Sequence, residues 1–408
     1  MMKSYVIIGG GVASTATIEG IRSVDKDGKI YLINGEGVPT YCRPLISYYL
    51  EGRTDFEKMK YRPDDFYDKN GCEVIYGVAD RIDPDARTVS VNGAVIHYDE
   101  LCLATGSTPF VPPFAGLDTV PVRTGFMTEK DAEYLEKSIT GRSKVLIIGA
   151  GLIGLKCAEG LCDRVEEINV CDLSDRVLSS ILDAESAKYM QRVLEEKGIK
   201  FHLSSGVTRF DGNTAELSDG TNLDFDVLVT AVGVRANVGL VKDFAKTDRG
   251  VIIDTHGRTT AEHIYAAGDC ARGYDASINA ERVLAIFPNA YLQGHTAGVN
   301  MAGGDCTFSN AVPLNAIGFF GLHALTAGSY QGTMIETKTD STLKRLFVND
   351  GKLSGFMLIG DIERAGILTS LIRNKTPLCD VDWQVLQNSP LLSGFDDQKR
   401  RQILGGVV

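Results

Sequence analysis

Two glycine-rich turns, each between a short apolar strand and a helix, constrain the fold of this chain more than any other feature. The first turn begins at Gly9, directly after the apolar residues 5–8, and a helix is predicted over residues 15–22. Glycines let the backbone turn sharply and approach a diphosphate closely, and the positive end of the helix then faces the phosphates. Ser14 stands where the third glycine of this pattern is usual. The pattern predicts a nucleotide-binding unit.

The second turn carries the complete pattern, with Gly149, Gly151 and Gly154. The helix after it is predicted to run from about residue 155 to 164, and the next strand ends at Asp172, 18 residues after Gly154. A carboxylate at this strand end binds a free ribose 2′-OH and repels a 2′-phosphate, so NADH is preferred to NADPH. Arg176 lies just beyond and could weaken that preference.

Other strand ends fit the same chemistry. Glu36 follows the strand predicted over residues 29–33 and can bind the ribose of an adenosine. The strand that begins at residue 101 ends in a small-residue turn that can pass close over a cofactor, and the strand from residue 264 ends at Asp269. Asp269 can bind a polyol hydroxyl or cap the following helix. Two dinucleotide units in one chain indicate electron transfer between two dinucleotides.

Composition narrows the class of protein. The chain has 408 residues, enough for two to three domains, and 44% of them are apolar. Its net charge of −11 argues against nucleic acid or an anionic membrane as the main partner. There is no apolar run long enough to span a membrane, and the apolar segment near the N-terminus is too short for a signal peptide. Nine scattered cysteines favour the reducing cytoplasm.

The motifs, in this order, resemble the pyridine nucleotide–disulfide oxidoreductase superfamily of flavoproteins. Residues 41–47, Tyr-Cys-Arg-Pro-Leu-Ile-Ser, are similar to a segment of rubredoxin reductases, ferredoxin reductases and nitrite reductase flavin domains. The resemblance implies an α/β fold with two Rossmann-like domains, the NADH domain inserted in the FAD domain, and a small α+β C-terminal domain. The implied boundaries are 1–112 and 241–311 for the FAD domain, 113–240 for the NADH domain and 312–408 for the last domain.

The resemblance also assigns cofactor-binding residues. Those implied for FAD are Gly9, Gly11, Val12, Ala13, Ser14, Glu36, Arg43, Ala79, Ala104, Thr105, Gly106, Arg123, Gly268, Asp269 and Phe287. Those implied for NADH are Gly149, Gly151, Leu152, Ile153, Gly154, Asp172 and Gly233. No metal-ligand spacing is found in residues 312–408, and we expect no metal site.

The cysteine pattern suggests a flavin without a thiol relay. No Cys-x-x-x-x-Cys motif precedes residue 100, and Cys157 and Cys162 would point about 140° apart on one helix. Single-cysteine relatives place their thiol where this chain has Pro44, two positions from Cys42. The resemblance therefore implies hydride transfer from NADH to FAD N5 and electron delivery to a rubredoxin, a ferredoxin or another iron centre. Two alternatives stay open. The first is an NADH oxidase or thiol-disulfide reductase that uses Cys42, and the second is a non-enzymatic flavin sensor or scaffold.

A departure from the family concerns the flavin surroundings. Many relatives carry a Lys and a Glu, paired beside flavin N5, at the positions of Tyr48 and Lys156. Lys156 near the flavin would raise its potential by favouring the anionic reduced form, or it could turn outward to solvent. We expect the protein to be a monomer or a homodimer. For docking of an electron acceptor we consider a local cluster of cations. The cations are Arg53, Lys58, Lys60 and Arg62.

Overall fold

The computed structural model describes residues 2–405, with side chains up to residue 401. These residues separate into two compact units. The first contains residues up to 176, 195–274 and 281–309, and the second contains 177–194, 275–280 and the residues from 310 onward. No helix in residues 2–405 combines the length and the apolar character needed to cross a bilayer.

The strands of the described residues are named in chain order. They are β1 (Ser4–Ile8), β2 (Lys29–Asn34), β3 (Cys72–Tyr76), β4 (Ala79–Asp83), β5 (Thr88–Val91), β6 (Ala94–His97), β7 (Glu100–Leu103), β8 (Ser107–Pro109), β9 (Arg123–Thr124), β10 (Lys144–Ile148), β11 (Glu167–Asp172), β12 (Lys200–Leu203), β13 (Val207–Asp211), β14 (Thr214–Leu217), β15 (Asn222–Asp224), β16 (Val227–Thr230), β17 (Val234–Ala236), β18 (Val251–Ile252), β19 (Ile264–Ala266), β20 (Ala271–Asp275), β21 (Ala280–Arg282), β22 (Leu314–Phe319), β23 (Leu322–Gly328), β24 (Thr333–Lys338), β25 (Leu343–Asn349) and β26 (Lys352–Ile359).

The helices are named in the same way. They are α1 (Val12–Val24), α2 (Ile46–Leu50), α3 (Phe56–Met59), α4 (Phe66–Lys69), α5 (Glu129–Ser138), α6 (Leu152–Leu161), α7 (Ala184–Glu196), α8 (Phe287–Met301), α9 (Ala365–Arg373), α10 (Trp383–Asn388) and α11 (Asp397–Gly405).

The first unit is built on two parallel five-stranded sheets. One has the order β19-β7-β1-β2-β3 and the other the order β12-β11-β10-β16-β9. Their central strands are apolar and buried, as in Tyr5–Ile8 and Val145–Ile148, which is typical of parallel sheets covered on both faces. The carboxyl ends of parallel strands meet at one edge, so the glycine turns and the acids that follow these strands lie together.

Smaller antiparallel sheets complete this unit. They have the orders β4-β5-β6 and β13-β14-β15. A further sheet has the order β18-β20-β21, in which β18 and β20 pair in parallel. The strands β8 and β17 form a two-stranded antiparallel ribbon, where Ser107 pairs with Ala236 and Pro109 with Val234. This ribbon connects the chain that leaves one parallel sheet with the chain that leaves the other.

The second unit contains an antiparallel sheet of order β22-β23-β26-β25-β24. Its Arg345 is only 4% exposed, although it is charged. The guanidinium forms ion pairs with Asp183, Glu185 and, at 2.6 Å, Glu336. These pairs hold residues 177–194 against the sheet, which explains why that segment belongs to this compact unit.

The predicted fold class of two Rossmann-like domains and a small α+β domain is confirmed, whereas several element bounds were wrong. The helices α1 and α6 begin at Val12 and Leu152, three residues earlier than expected, because each starts directly at its glycine turn. In the last domain the sequence analysis missed β22 and β23, and also the short helices after Pro377. The domain boundaries drawn from the sequence stay predictions.

Candidate functional site

The first glycine turn needs its glycine because the backbone passes another chain segment closely. Gly9 has φ +129°, and a Cβ there would lie 2.0 Å from the carbonyl oxygen of Ala104. Ser14, at the place of the third glycine, is fully buried and donates its hydroxyl to the carbonyl of Gly9 at 2.6 Å. The serine therefore fits because its hydroxyl is used to close the turn.

The start of α1 is open to a ligand. Gly11 is the N-cap residue, no side chain caps the helix there, and a Cβ on Gly11 would meet nothing within 4 Å. The backbone N–H groups of Val12 and Ala13 open this helix, where the first N–H groups have no partner within the helix. An uncapped helix start beside open space fits a diphosphate.

Asp269 lies at the same edge of the sheet. Gly268 is buried, and a Cβ on it would lie 3.1 Å from the Cβ of Ala13. Asp269 accepts a hydrogen bond from the Ser107 hydroxyl at 3.1 Å. Burial raises the pKa of Asp269, although Ser107 and the nearby Arg43 lower it. The structure therefore brings the first glycine turn, the Ala104 turn and the Gly268–Asp269 motif together.

Glu36 and Arg43 form an ion pair with each other. The Arg43 guanidinium also donates to the carbonyl of Met127 at 3.0 Å and to the Tyr41 hydroxyl at 3.3 Å. Arg43 thus supplies a fixed cation in a region that holds two carboxylates, Glu36 and Asp269. A cation here fits the negative diphosphate of FAD.

The second glycine turn is built in the same way. A Cβ on Gly154 would lie 2.0 Å from the carbonyl oxygen of Gly149, so this position tolerates only glycine. Gly151, the uncapped N-cap residue of α6, faces open space, and so does Gly233. Asp172 accepts hydrogen bonds from the backbone N–H groups of Ala150 and Ser174, both at 2.7 Å. Leu152 and Ile153 supply the first turn of α6, and these features fit a second dinucleotide.

The surroundings of three other predicted FAD residues indicate less about a cofactor. Phe287 begins α8, and its ring packs edge-on against Tyr61 with centroids 5.3 Å apart. Ala79 is buried at the start of β4. Arg123 donates to the carbonyl of Val120 at 3.0 Å and also to that of Leu117. These hydrogen bonds join Arg123 to the segment just before it, and its contact with FAD stays a prediction.

Tyr48 and Lys156 come together, as their predicted joint role requires. The Lys156 ammonium lies 5.7 Å from the centroid of the Tyr48 ring, and Arg53 lies 4.3 Å from the same centroid. Lys156 also forms an ion pair with Glu159, one helical turn further along α6. The sequence analysis missed Glu159, although its i,i+3 spacing from Lys156 was a usable signal. The ammonium is therefore not an isolated positive charge, and its place beside the flavin stays a prediction.

The described thiols are all free. Cys42 is half-buried, and burial raises the pKa of its thiol, although a backbone hydrogen bond from Leu45 lowers it. Cys157 is fully buried, which also raises its pKa, and the Cys162 thiol donates to the carbonyl of Lys197 at 3.3 Å. None of these environments stabilises a thiolate.

The four cations considered for docking each have an acidic partner. Arg53 pairs with Glu51 at 2.8 Å and Lys58 with Asp55 at 2.6 Å. Lys60 and Arg62 also pair, with Glu57 and Asp64 and with Glu19 respectively. The cluster therefore carries little uncompensated positive charge, and its docking role stays a prediction. Within residues 2–405, no group of three metal-ligating side chains comes together.

Comparison with known proteins places these features in a family. The model of the pyridine nucleotide-disulphide oxidoreductase family matches residues 3–294. The chain belongs to this family. It is an NADH-dependent flavoprotein oxidoreductase that uses FAD and NADH, as the sequence analysis predicted.

Individual relatives cover much of the chain. The NADH-dependent phenylglyoxylate dehydrogenase subunit epsilon of Aromatoleum evansii is 30% identical over an alignment of 409 positions that covers 96% of either protein. The nitrite reductase [NAD(P)H] of Bacillus subtilis is 29% identical over 93% of this chain, which spans only 48% of that relative. Putidaredoxin reductase, solved in covalent complex with putidaredoxin, superposes with a TM-score of 0.87 at 21% identity over 99% of this chain and 98% of that one, and so supports the fold.

Proposed function

We propose that this protein passes electrons from NADH, through FAD alone, to the iron centre of a redox protein such as a rubredoxin, a ferredoxin or a partner subunit. The chemistry that bound FAD would supply is acceptance of a hydride from NADH, which would leave as NAD⁺, and delivery of its two electrons one at a time to one-electron acceptors with release of one proton. The absence of a thiol relay distinguishes this function from that of the disulfide reductases.

The state of Cys42 carries the proposal. A thiol that relays electrons has to react as a thiolate, and thiolates form beside cations or helix N-termini. Burial raises the pKa of Cys42 instead, and no lysine or arginine contributes to lowering it. Pro44 occupies the position at which single-cysteine relatives carry their thiol. Burial of Cys42 therefore favours its protonated thiol over the thiolate.

The relative that matches over most of both chains supports a protein acceptor. That relative is one subunit of an NADH-dependent dehydrogenase, and the two chains match over 96% of their lengths. A subunit exchanges electrons within an assembly, so a second protein as electron acceptor fits this likeness. We therefore place the acceptor outside this chain, as a carrier or as another subunit.

The residues of the two turns would hold the cofactors. In our proposal Glu36 binds the adenosine ribose of FAD, Arg43 and the start of α1 its diphosphate, and Asp269 its ribityl chain. The start of α6 binds the NADH diphosphate. Asp172 binds the 2′-OH of its ribose and so discriminates against NADPH.

Replacing Cys42 by serine tests the proposal. The purified holoenzyme is mixed anaerobically with NADH and then with oxidised rubredoxin or ferredoxin, and both steps are followed at the flavin absorbance. We expect C42S to keep both rates within about 2-fold of wild type, because hydroxyl for thiol preserves the packing. The variant Cys162→Ser, at another half-buried thiol, is the matched control.

Two results would contradict the proposal. Loss of NADH-dependent turnover in C42S alone would make Cys42 a redox group, as in an NADH oxidase or a thiol-disulfide reductase. Slow bleaching of the flavin by NADH and no electron delivery to any carrier would instead indicate a sensor or scaffold.

A further inference from the structure

We propose that Asn237 is a positioning residue that holds the Thr105–Gly106 turn of the FAD site at a fixed place relative to the Gly233 turn of the NADH site. This inference rests on the two cofactors and is independent of which protein accepts the electrons. It concerns a side chain that no sequence motif singled out.

Asn237 forms four hydrogen bonds with residues 105–108, and three of them hold the Thr105–Gly106 turn. Its backbone N–H donates to the carbonyl of Gly106 at 3.0 Å, and its side-chain Nδ2 donates to the carbonyl of Thr105 at 2.8 Å. Its own carbonyl accepts from the Thr105 hydroxyl at 2.8 Å. Its Oδ1 accepts from the Thr108 hydroxyl at 3.1 Å. Both backbone polar groups and Nδ2 of Asn237 are thus used on the turn, whereas Oδ1 binds the strand that follows it.

The ribbon that follows this turn is weak without such help. The strands β8 and β17 pair through only three residue pairs, and one of them contains Pro109, which has no N–H to donate. A short two-stranded ribbon is marginally stable in water. Beyond the ladder, the N–H of Phe110 donates to the carbonyl of Gly233 at 2.9 Å. The bonds of Asn237 are therefore a large part of what fixes the ribbon.

The same ribbon touches both cofactor sites. At one end, Ser107 donates to Asp269 of the predicted FAD site at 3.1 Å. At the other end, Gly233 of the predicted NADH site has φ +112° and faces open space. A shift of one strand along the other would change the separation of these two groups. Hydride transfer needs the reacting atoms about 3–3.5 Å apart, and a displacement of about 1 Å can cost roughly 100-fold in rate.

Two substitutions test the role of the amide. N237D has nearly the same shape and can still accept from Thr108, but its carboxylate cannot donate to the carbonyl of Thr105 and repels it. N237A removes both side-chain bonds. Thr108→Val is the matched control, because it deletes only the bond to Oδ1 and leaves the Thr105–Gly106 turn held by the other three bonds.

The measurements separate positioning from general damage. For each holoenzyme we would follow anaerobic flavin reduction at several NADH concentrations, the release of FAD by its fluorescence, and thermal unfolding. We expect N237D and N237A to lower the limiting rate of flavin reduction by roughly 10-fold or more, with the NADH dissociation constant within about 2-fold of wild type. FAD should also dissociate faster, whereas Thr108→Val should match wild type in all three measurements.

The proposal is overturned if the limiting rate of N237D stays within about 2-fold of wild type. It is also overturned if the substitutions lower only the melting temperature, while the FAD-loaded fraction reacts with NADH at the normal rate. If N237A does not fold, the isosteric N237D decides the question. The assay contains no electron acceptor, so its outcome does not depend on the proposed redox partner.

Discussion

The backbone N–H of Ala150 donates to the carboxylate of Asp172 at 2.7 Å, which joins the second glycine turn to the end of β11. The carboxylate is thereby fixed beside the open start of α6, and its other oxygen accepts from Ser174 at 2.7 Å. An acid held in this way presents its remaining lone pairs in a constant direction. This arrangement underlies the predicted preference for NADH.

Replacing Asp172 by alanine should weaken NADH binding and relax the preference over NADPH. A hydrogen bond to a charged group contributes about 1.5–3 kcal/mol, so we expect the NADH dissociation constant to rise roughly 10-fold or more. The affinity for NADPH should fall less, because the substitution also removes a charge that repels the 2′-phosphate. Titration of both nucleotides measures the change, with the exposed Asp175→Ala as control, and equal losses for the two nucleotides would contradict the assignment.

Two glycines of the second turn should respond differently to alanine. The Cβ of G154A would lie 2.0 Å from the carbonyl of Gly149, so this variant should lose about 1–3 kcal/mol of unfolding free energy. The Cβ of G151A meets no protein atom within 4 Å, so the fold should survive. Nevertheless, G151A should weaken NADH binding, because the methyl group occupies the space in which we place the diphosphate. Denaturant unfolding measures the effect on stability, and NADH titration measures the effect on binding. Normal NADH affinity in G151A would show that the diphosphate does not bind beside Gly151.

The two charges of the Lys156–Glu159 pair should shift the flavin midpoint potential in opposite directions. Removing the anion with E159Q leaves the cation, favours the reduced anionic flavin and should raise the potential, whereas K156Q should lower it. Shifts on the order of tens of millivolts are expected for charges near a partly buried flavin. Redox titration of bound FAD measures them, and the double variant should lie near wild type. Unchanged potentials in both single variants would place the pair away from the flavin.

Alkylation should report the protonated state of Cys42. Because burial raises the pKa of this thiol, it carries less thiolate at pH 8 than an unperturbed cysteine does. Its reaction with iodoacetamide should therefore be slow near neutral pH and accelerate only above the usual thiol range. Peptide mass spectrometry after timed labelling gives the rate, with the exposed Cys379 as internal reference. Faster labelling of Cys42 than of Cys379 at pH 7 would show an activated thiol.

Arg345 should stabilise the second unit in a manner that depends on pH. Burial acts to raise the pKa of Asp183, but hydrogen bonds from Ser186 and the charge of Arg345 outweigh it and lower the pKa. The stabilisation is thus present above the usual carboxyl range and is lost as pH falls below about 4. R345M should lower the free energy of unfolding by about 2–3 kcal/mol near neutral pH, a limited loss because Asp183 is partly exposed. In acid the loss should be much smaller. Equal losses at both pH values would contradict the ion-pair account.

Much of the fold was predictable because the two glycine turns are local signals. Spacing from the two turns also led to Asp172, at the end of β11, and to Glu36, just after β2, as candidate ribose-binding residues. The positioning role of Asn237 could not be predicted in this way, because its partner Thr105 is 132 residues away and no local pattern joins them. The docking cluster shows a related limit, because sequence proximity revealed its cations but not their long-range partners, such as Glu19 for Arg62.

The most direct test of a flavin acting alone is an anaerobic titration of the oxidised holoenzyme with NADH. The account predicts complete bleaching of the flavin at one NADH, or two electrons, per FAD, with no long-wavelength absorbance from a thiolate against the ring. Uptake of four electrons per FAD, or a thiolate charge-transfer band, would contradict it, because either shows that a sulfur redox group shares the electrons.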